Sequence, residues 1–445
     1  MESIKIKVAK FGGSSLADAA QFRKVKEIVE SDPTRRYVVP SAPGRRSSGD
    51  EKVTDLLYCC YGRAVNGENY KKVLERIRAR YEEIIRELHL GVTLDRQFAV
   101  IEEAFLAGAG EEYAASRGEY LNAILLADFL GYEFIDAAEV IRFDRDGKFQ
   151  DERTNFFLKE KLKKVPRAVI PGFYGADDAG NIHTFSRGGS DVTGAVVARG
   201  AGAQLYENWT DVSGFLLADP TIIDHPKKID SMTFGELREL AYRGATVLHE
   251  EAVYPARREG ISIHIRNTNA PEENGTVICQ ELRPEQEVPI TGIAGRRNFA
   301  AVSIAKNCMN SEPGFCKKLL EAFEENNISF EHMPSGIDTM CVVVHESTLE
   351  GKKEKLVQRI HELCSPDTVE IHSGLALIAT VGRGMVRSKG ISARLFNALM
   401  KAGVNVRLID QGSSELNIIV GVDNLDFEVA TRAIYRAFVT KDNRW

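Results

Sequence analysis

The chain has 445 residues, a formal net charge of −6 and 43% hydrophobic residues. At roughly 150 residues per domain this length predicts two to four domains, and the composition is typical of a folded globular protein. A mildly acidic protein does not attract nucleic acid or an anionic membrane, so we expect neither as a partner. No apolar run approaches the roughly 20 residues that span a bilayer, and the alternating start Met1–Lys7 differs from a signal peptide. We therefore expect a cytoplasmic protein.

Seven cysteines are scattered along the chain, and only Cys59 and Cys60 are adjacent. Neither these cysteines nor the nine histidines show the short spacings of zinc sites. We therefore predict reduced cysteines and no metal site built from protein ligands alone.

Strand and helix patterns alternate in the first part of the chain. A short apolar strand at 4–9 precedes a glycine turn and a helix. Further strands are predicted at 167–170, 204–209 and 261–265. Residues 54–130 show helical periodicity without strands, which predicts a helical insertion. Together these patterns predict an α/β catalytic domain over 1–283, followed by a charged, proline-containing linker at 281–289.

The last third of the chain contains an internal repeat. Pro313-Gly-Phe-Cys-Lys-Lys-Leu-Leu-Glu-Ala-Phe323 aligns without gaps with Lys389-Gly-Ile-Ser-Ala-Arg-Leu-Phe-Asn-Ala-Leu399, at an offset of 76 residues. The turn glycines Gly336 and Gly412 keep the same offset. Each helix pattern continues into a strand, a glycine turn and another strand, so two copies of one unit are predicted. We place them at 290–365 and 370–445.

The segment Lys10-Phe-Gly-Gly-Ser-Ser15 lies between the first predicted strand and a helix. A glycine pair and hydroxyl residues in this position are found where backbone N–H groups bind phosphate. Lys10 adds a positive charge that can stabilise a transferring phosphoryl group. A plain turn with a helix cap produces the same pattern, so the segment alone leaves both interpretations open.

A second glycine-rich segment, Ser186-Arg-Gly-Gly-Ser-Asp191, leads into a helical stretch at 192–201. Arg187 can bind a carboxylate or a phosphate through its fork of donors. Asp191 is also a residue type favoured as a helix N-cap, and that alternative stays open. Two such turns in one α/β domain, each beside a charged residue, favour a phosphoryl-transfer cleft.

Together these segments resemble those of the aspartokinases, which are amino-acid kinases with C-terminal ACT domains. Further segments follow the order of that family: Val38-Val-Pro-Ser-Ala-Pro-Gly44, Ser116-Arg-Gly-Glu-Tyr120, Trp209-Thr-Asp-Val212, Ala218-Asp-Pro220, Gly244-Ala-Thr-Val-Leu-His249 and Gln411-Gly-Ser-Ser-Glu-Leu-Asn417. The resemblance covers nearly the whole chain. It implies an α/β kinase domain, an αβα sandwich, followed by two ferredoxin-like ACT domains. The implied reaction transfers the ATP γ-phosphoryl group to the β-carboxylate of L-aspartate, giving 4-phospho-L-aspartate for lysine, threonine and methionine biosynthesis.

The resemblance also implies roles for individual residues. Lys10 would stabilise the phosphoryl group, and Asp191 would organise the reacting groups. Substrate aspartate would meet Arg187 through a carboxylate and Glu119 through its ammonium group. Further implied substrate contacts are Ser41, Thr54 and Ser190. The implied nucleotide contacts are Gly12, Gly13, Ser14, Gly188, Gly189, Thr210, Asp211, Asp219 and Thr246. ATP would bind with Mg²⁺, which the nucleotide phosphates would mainly coordinate.

Three positions on the nucleotide side depart from the family pattern. Leu216 stands where a tyrosine is common, Thr221 replaces an arginine and Thr246 replaces a lysine. The loss of two cations should weaken phosphate binding unless Lys227 or Lys228 replaces them.

The segment 44–52 is longer and more charged than the usual connection of the family. A mobile lid and a solvated loop are both compatible with it.

For the repeats, the resemblance implies a site for an amino-acid effector and a homodimer formed through ACT domains. The implied effector contacts are Met309, Gly314, Phe315, Ser329, Glu331 and Ser335. Because an acidic side chain at 331 suits the ammonium group of lysine, we expect feedback inhibition by lysine. Threonine, alone or jointly, is the main alternative. Assembly to a tetramer is left open, as is an interleaved arrangement in which a strand at 290–294 joins the second copy.

Two other functions stay open. A kinase of glutamate or acetylglutamate would share the glycine loops, but the helical insertion and the paired repeats argue against it. A non-catalytic amino-acid sensor would explain Leu216, Thr221 and Thr246, whereas the retained Lys10 and Asp191 favour an enzyme.

Overall fold

The computed structural model describes residues 5–186, 188–244, 248, 250–283 and 288–439. The chain divides into two compact units. The first unit consists of Met1–Phe215, Lys228–Leu237 and Thr246–Arg283. The second unit consists of Leu216–Lys227, Arg238–Ala245 and Pro284–Trp445.

The sequence predicted one boundary near residue 283 between the catalytic domain and the repeats, and the observed division differs from it. Two short segments of the predicted catalytic domain, Leu216–Lys227 and Arg238–Ala245, belong to the second unit. The backbone explains part of the difference, because the N–H of Ile293 donates to the carbonyl of Leu217 at 2.7 Å. Pairing between segments so far apart in the chain cannot be predicted from local sequence patterns.

An eight-stranded sheet, in the order β3-β4-β2-β1-β7-β9-β10-β8, forms the centre of the first unit. Its strands are β1 (Lys7–Phe11), β2 (Arg35–Pro40), β3 (Glu133–Phe134), β4 (Ala168–Val169), β7 (Leu205–Thr210), β8 (Ser231–Thr233), β9 (Ser262–Asn267) and β10 (Thr276–Cys279). The six strands from β3 to β9 in this order are parallel, and β10 runs antiparallel to β9. A separate two-stranded sheet contains β5 (Tyr174–Ala176) and β6 (Ile182–Thr184).

Ten helices belong wholly or partly to the described part of the first unit. They are α1 (Ala19–Glu30), α2 (Val53–Val65), α3 (Lys71–Leu88), α4 (Asp95–Leu106), α5 (Glu111–Leu130), α6 (Ala137–Val140), α7 (Asp151–Leu162), α8 (Gly189–Ala201), α9 (Phe234–Tyr242) and α10 (Glu250–Arg258). Helices α2 to α5 form the predicted helical insertion. Its apolar positions recur at helical spacing on α3, where Val73, Ile77 and Ile84 are buried.

Helices cover both faces of the sheet. Alternate residues of a strand point to opposite faces. Ala9 and Phe11 of β1 pack in one hydrophobic cluster with α1 to α5. Lys10 therefore points to the other face, where α8 contacts β1, β2 and β7. The result is the αβα sandwich that the resemblance implied.

A five-stranded antiparallel sheet, in the order β12-β11-β13-β15-β14, forms the second unit. Its strands are β11 (Gly292–Ala305), β12 (Thr339–His345), β13 (Thr368–Val381), β14 (Leu408–Asp410) and β15 (Asn417–Asp423). Its helices are α11 (Phe315–Glu325), α12 (Lys353–Cys364), α13 (Ile391–Lys401) and α14 (Phe427–Val439). The repeat is visible in the backbone, since Gly314 and Gly390 precede α11 and α13 at φ 85° and 86°.

The strands β11 and β13 extend through both repeats. Residues 299–305 of β11 pair with β12 and with the first half of β13. Residues 292–296 instead pair with 377–381 of β13, which also pairs with β15. The first residues of β11 thus lie in the part of this sheet that the strands of the second repeat form.

Candidate active site

The glycine loop after β1 lies at the edge of the sheet where the parallel strands have their carboxyl ends. Its Gly12 N–H donates to the carbonyl of Trp209 in β7 at 2.9 Å. The hydroxyl of Ser15 lies 2.8 Å from that of Thr268, which follows β9. Open α/β sheets bind their ligands at this edge.

Two glycines let this loop approach the loop that follows β2. The Gly44 N–H donates to the carbonyl of Gly13 at 2.8 Å. A Cβ on Gly13 would lie 2.9 Å from the carbonyl oxygen of Ala42, and one on Gly44 would lie 2.6 Å from the carbonyl carbon of Gly13. Any side chain there would push the loops apart. Glycine is therefore required by close approach of the backbones.

Lys10 and Asp191 form an ion pair on the face of the sheet covered by α8. Lys10 Nζ lies 2.6 Å from Asp191 Oδ1, and their side chains are only 9% and 16% exposed. Gly188, at φ 60°, is the N-cap of α8, so Asp191 lies inside the first turn. The alternative that Asp191 is an N-cap is wrong, because the helix begins earlier than the predicted residue 192. The structure thus brings together the two residues predicted to be catalytic.

Asn208 also contacts this pair. It stands opposite Lys10 in the pairing of β1 with β7, and its Nδ2 donates to Asp191 Oδ1 at 2.9 Å. Sequence analysis missed Asn208 because it precedes the recognised Trp209-Thr-Asp segment. A polar residue inside a buried strand was the signal that could have identified it.

The start of α8 packs closely against the residues that follow β4. A Cβ on Gly189 would lie 2.3 Å from the ring of Phe173, and one on Gly172 would lie 2.6 Å from Ser190 Oγ. Phe173 has φ 80°, and its N–H donates to the hydroxyl of Thr193 in α8 at 2.9 Å. The second glycine loop is thus positioned by a strained residue that the sequence did not identify.

Glu119 is a buried carboxylic acid on α5. Only 5% of it is exposed, and its Oε2 has no hydrogen-bond partner. Burial raises its pKa to about 8, although a backbone hydrogen bond from Ala42 and the charges of Arg117 and Lys10 act in the opposite direction. Such a carboxyl is suited to an ammonium group, which would satisfy the oxygen and favour the ionised form.

Other predicted substrate residues lie beside Glu119. A Cβ on Gly118 would lie 2.7 Å from Ala42 Cβ and 3.7 Å from Thr54 Cγ2. The carbonyl of Ser41 accepts a hydrogen bond from Asn122 Nδ2 of α5 at 2.7 Å. Gly118 therefore permits α5 to approach the loop after β2 and the start of α2. Arg187, the predicted carboxylate ligand, lies outside the described residues.

The predicted nucleotide residues are divided between the units. In the first unit, Thr210 ends β7 and its hydroxyl donates to Asp211 at 3.2 Å. In the second unit, Asp219 accepts hydrogen bonds from the backbone and hydroxyl of Thr221 at 2.8 and 2.7 Å. Thr246 lies outside the described residues.

The structure shows one contact for each of the two lysines considered as replacements. Lys228 forms an ion pair with Glu273 within the first unit. The backbone N–H of Lys227 donates to the hydroxyl of Tyr435 within the second. Neither contact identifies a phosphate ligand.

The segment 44–52, for which a lid was one interpretation, is bonded to its surroundings. The buried Arg80 of α3 donates to Asp50 at 2.6 Å and to the carbonyls of Gly44 and Ala17 at 3.0 and 3.2 Å. Arg46 pairs with Asp50 and, at 2.8 Å, with Glu83. These contacts attach the segment to the helical insertion.

Within the described residues, no group of three or more His, Cys, Asp or Glu side chains could bind a metal ion. A helix long and apolar enough to cross a membrane is likewise absent from that part of the chain.

The sequence matches two family descriptions, the amino acid kinase family over residues 5–267 and the ACT domain over 378–438. It is 38% identical to Aspartokinase 3 of Bacillus subtilis, over 97% of this chain and 98% of that protein. The chain belongs to the aspartokinases of the amino acid kinase family. This finding confirms the resemblance and the fold class that it implied.

Solved structures of aspartokinases are also similar. Aspartate kinase of Clostridium acetobutylicum is 50% identical, with a TM-score of 0.89, covering 98% of this chain and 100% of that one. Escherichia coli aspartokinase III was solved with aspartate and ADP (R-state) and with lysine and aspartate (T-state). Those structures are 26% and 27% identical, with TM-scores of 0.72 and 0.70, each covering 98% of this chain and 100% of that one.

The predicted effector residues of this aspartokinase have different surroundings. Met309 and Phe315 are buried in the core of the first repeat, and Ser329 and Ser335 are exposed. Gly314 is the N-cap of α11. Their role as effector contacts stays a prediction.

Glu331, the predicted partner of an effector ammonium group, lies in a network of charged side chains. Its Oε2 is 3.4 Å from Arg243 Nη1. Arg243 also contacts Nε2 of the buried His332 at 2.9 Å, while Nδ1 of that histidine contacts Asp410. Burial, followed by the charge of Arg243, lowers the pKa of His332, so the imidazole is neutral at pH 7. The network joins the end of α9 to both repeats.

Proposed function

We propose that this chain transfers the γ-phosphoryl group of ATP to the β-carboxylate of L-aspartate, giving 4-phospho-L-aspartate. The observation that carries the proposal is the Lys10–Asp191 pair, buried at the edge of the sheet between two glycine loops. Membership in the aspartokinase family supports the choice of substrate. The reaction would be the first step of lysine, threonine and methionine biosynthesis.

The acceptor needs no general base, because an aspartate carboxyl with a pKa of about 3.9 is ionised at neutral pH. One β-carboxylate oxygen forms a bond to the γ-phosphorus as the bond to the bridging oxygen breaks, and ADP leaves with that electron pair. The site must bring the negatively charged aspartate carboxylate close to the negatively charged phosphates of ATP. Catalysis therefore depends on the positions of these groups and on the stabilisation of their charge. Lys10 stabilises the transferring phosphoryl group, and Asp191, bonded to Lys10 and Asn208, orients the lysine.

Substrate aspartate would be recognised at both ends. The unsatisfied Oε2 of Glu119 supports an ionic hydrogen bond with the α-ammonium group, and Ser41 and Thr54 lie beside the same turn of α5. We assign the carboxylate contact to Arg187 on the family resemblance alone.

ATP is the proposed nucleotide, with Mg²⁺. The described residues offer no cluster of carboxylates for this ion, and Asp191 already accepts from Lys10 and Asn208. Mg²⁺ commonly binds one or two carboxylates together with substrate phosphates. The residues therefore fit an ion coordinated mainly by the nucleotide, where it would neutralise phosphate charge.

Regulation is proposed to be feedback inhibition through the repeats, with lysine as effector. The Escherichia coli relative solved with lysine supports this choice, as does the acidic Glu331. Threonine, alone or with lysine, remains the alternative. A homodimer through ACT domains and a cytoplasmic location are further proposals from the family resemblance.

Product trapping with hydroxylamine, in the presence of ATP and Mg²⁺, tests the proposed reaction. Aspartate should yield an acyl hydroxamate and glutamate should not. Lys10→Ala should lower kcat by roughly 10²- to 10³-fold, because a charge that stabilises the transition state is removed. Lys7→Ala is the matched control, since Lys7 lies at the opposite end of β1 and pairs with Asp32 at 2.7 Å. Hydroxamate formation from glutamate, or normal turnover in Lys10→Ala, would contradict the proposal.

A further inference from the structure

The short strand β6 lies immediately before the second glycine loop. It ends at Thr184, and the loop 186–191 begins two residues later. In the two-stranded sheet β6 pairs antiparallel with β5, where Gly175 stands opposite His183. The position of β6 therefore determines where the chain enters the loop that carries several of the predicted site residues.

The backbone N–H of Thr184 faces away from β5. In an antiparallel pair, the backbone groups of successive residues point to opposite edges of the strand. The Phe185 N–H donates to the carbonyl of Phe173 at 2.9 Å, which is on the β5 side. The Thr184 N–H therefore points to the other edge of β6, where no strand pairs with it in the described part of the chain. Such a backbone donor needs a different acceptor.

Glu112 supplies this acceptor. Its Oε1 accepts hydrogen bonds from the N–H and the hydroxyl of Thr184, at 2.8 and 2.9 Å. Its Oε2 lies 3.3 Å from Nδ1 of His183, whose side chain is only 15% exposed. One carboxylate thus contacts two successive residues of β6. Hydrogen bonds to an ionised acceptor are among the stronger ones in proteins, so Glu112 attaches this edge of β6 to α5.

The same helix carries Glu119, the residue proposed to bind the substrate ammonium group. Helix α5 begins at Glu111, so Glu112 lies in its first turn and Glu119 follows two turns later. That interval is about 10 Å along the helix axis, and the two residues lie on nearly the same side of the helix. The residues 114–119 are buried. Helix α5 therefore connects β6 to Glu119 through a well-packed segment.

Further contacts connect β6 to α8. Phe173 accepts from the N–H of Phe185, and its own N–H donates to the hydroxyl of Thr193 in α8 at 2.9 Å. A Cβ on Gly189 would lie 2.3 Å from the ring of Phe173. The φ of 80° at Phe173 is unfavourable for an aromatic residue, and surrounding contacts of this kind are what maintain such a conformation. Phe173 thus contacts the residue before the second glycine loop and the helix that follows it.

This arrangement bears on the length of the acceptor. Aspartate and glutamate differ by one methylene group, a difference that enzymes discriminate by roughly 10- to 200-fold. A site that binds the ammonium group at Glu119 and a carboxylate at the second glycine loop selects by the distance between the two. Both parts are attached to α5, one directly and one through Glu112 and β6. A change at Glu112 therefore alters that distance.

We propose that Glu112 is a positioning residue of the acceptor site. By holding β6 against the first turn of α5, it fixes the second glycine loop relative to Glu119 and so favours aspartate over glutamate. This inference rests on the proposed aspartate kinase activity. Glu112 acts through Thr184 and is assigned no contact with substrate.

Hydroxamate kinetics and calorimetric binding of both amino acids test this role. Glu112→Ala should raise the KM for aspartate about tenfold and leave the KM for ATP unchanged, because only the acceptor side is displaced. The ratio of the Kd values of glutamate and aspartate should fall, since a less fixed loop accepts both lengths. Glu111→Ala is the matched control, because it removes the same charge from the same turn at an exposed position. Equal KM values and equal Kd ratios in these two variants would overturn the proposal.

Variants of Thr184 test the same contact from the other side. Thr184→Val removes the hydroxyl donor but keeps the branched shape and the N–H, so it should also raise the KM for aspartate. Thr184→Ser keeps the hydroxyl and should behave like the wild type. In a Glu112→Ala background, Thr184→Val should have no further effect, because the acceptor is already absent. Additive effects would contradict the proposed contact.

The two proposals fail in different ways. A wild type that forms no hydroxamate from aspartate would refute the kinase activity. An active wild type, together with Glu112→Ala that binds aspartate and glutamate as the wild type does, would refute only the positioning role. A purely structural role of Glu112 would lower the melting temperature and weaken the binding of both amino acids alike, without a change in the Kd ratio, and that result would also refute it.

Discussion

Lys10 Nζ lies 2.6 Å from Asp191 Oδ1, although one residue belongs to β1 and the other to the first turn of α8. The two charges neutralise each other in a site that is largely shielded from water. A phosphoryl group that approaches Lys10 must therefore compete with a carboxylate whose position is set by Asn208. This relationship makes Asn208 a positioning residue for the proposed reaction.

Asn208→Ala is expected to reduce kcat/KM by roughly 10- to 150-fold, because a hydrogen bond to a charged group contributes roughly 1.5–3 kcal/mol. The loss should become much smaller in an Asp191→Ala background, where the partner is already absent. A double-mutant cycle of kcat/KM measures this coupling. Additive effects of the two substitutions would show that Asn208 acts independently of Asp191.

Glu119 should make aspartate binding dependent on pH. Its raised pKa of about 8 means that the acid is mostly protonated at pH 7 before an ammonium group binds. Binding then favours the carboxylate, so a proton is released below pH 8 and affinity for aspartate rises as pH approaches 8. Calorimetry in buffers of different ionisation enthalpy measures the proton release. Glu119→Gln should abolish it, and an unchanged release in that variant would contradict the assignment.

The same residue predicts a change in stability with pH. An unfolded glutamate has a pKa of about 4.3, whereas the folded group retains its proton up to about pH 8. Between these values the folded state binds the additional proton, so the free energy of unfolding decreases as pH rises. Other groups titrate in the same range in both proteins, so the contribution of Glu119 is the difference between them: in urea denaturation, the free energy of unfolding of the wild type should fall relative to that of Glu119→Gln as pH rises.

Gly118→Ala is expected to destabilise the first unit by about 1–3 kcal/mol, because the new Cβ would lie 2.7 Å from Ala42 Cβ. The displaced α5 should also raise the KM for aspartate, since Glu119 follows directly. Gly62→Ala in α2 is the control: no atom lies within 4 Å of its Cβ position, so about 0.5–1 kcal/mol of stabilisation is expected. Equal effects in chemical denaturation would argue against close packing at Gly118.

Arg80→Met is expected to cost about 2–3 kcal/mol, because Asp50 and two carbonyls lose a buried donor. Arg76→Met provides the comparison on the same helix. The Arg76–Glu51 pair is more than half exposed, so its loss should change stability by less than about 0.5 kcal/mol. Urea denaturation measures both values. If the two variants were equally stable, Arg80 would not be what attaches the segment 44–52.

The helical insertion and the repeats were predictable because their signals are local. The helical periodicity of α3 is a pattern of residues close in the chain. The repeat is likewise visible in short segments, such as those that begin at Gly314 and Gly390. The grouping of Leu216–Lys227 with the second unit was not predictable, because it depends on pairing with a strand far away in sequence. The role of Asn208 was not predicted for a related reason. It lies beside Lys10 and Asp191 only because β7 pairs with β1 in the sheet.

By itself the sequence determined the family, the alternation of strands and helices, and the residue types that can transfer a phosphoryl group. Only the tertiary structure decided that Lys10 meets Asp191, that Glu119 is buried with an unsatisfied oxygen, and that Glu112 contacts the strand before the second glycine loop. Composition and spacing reflect interactions between residues close in the chain. Distances, burial and the pKa of a carboxyl arise from segments that meet only after the sheets have formed.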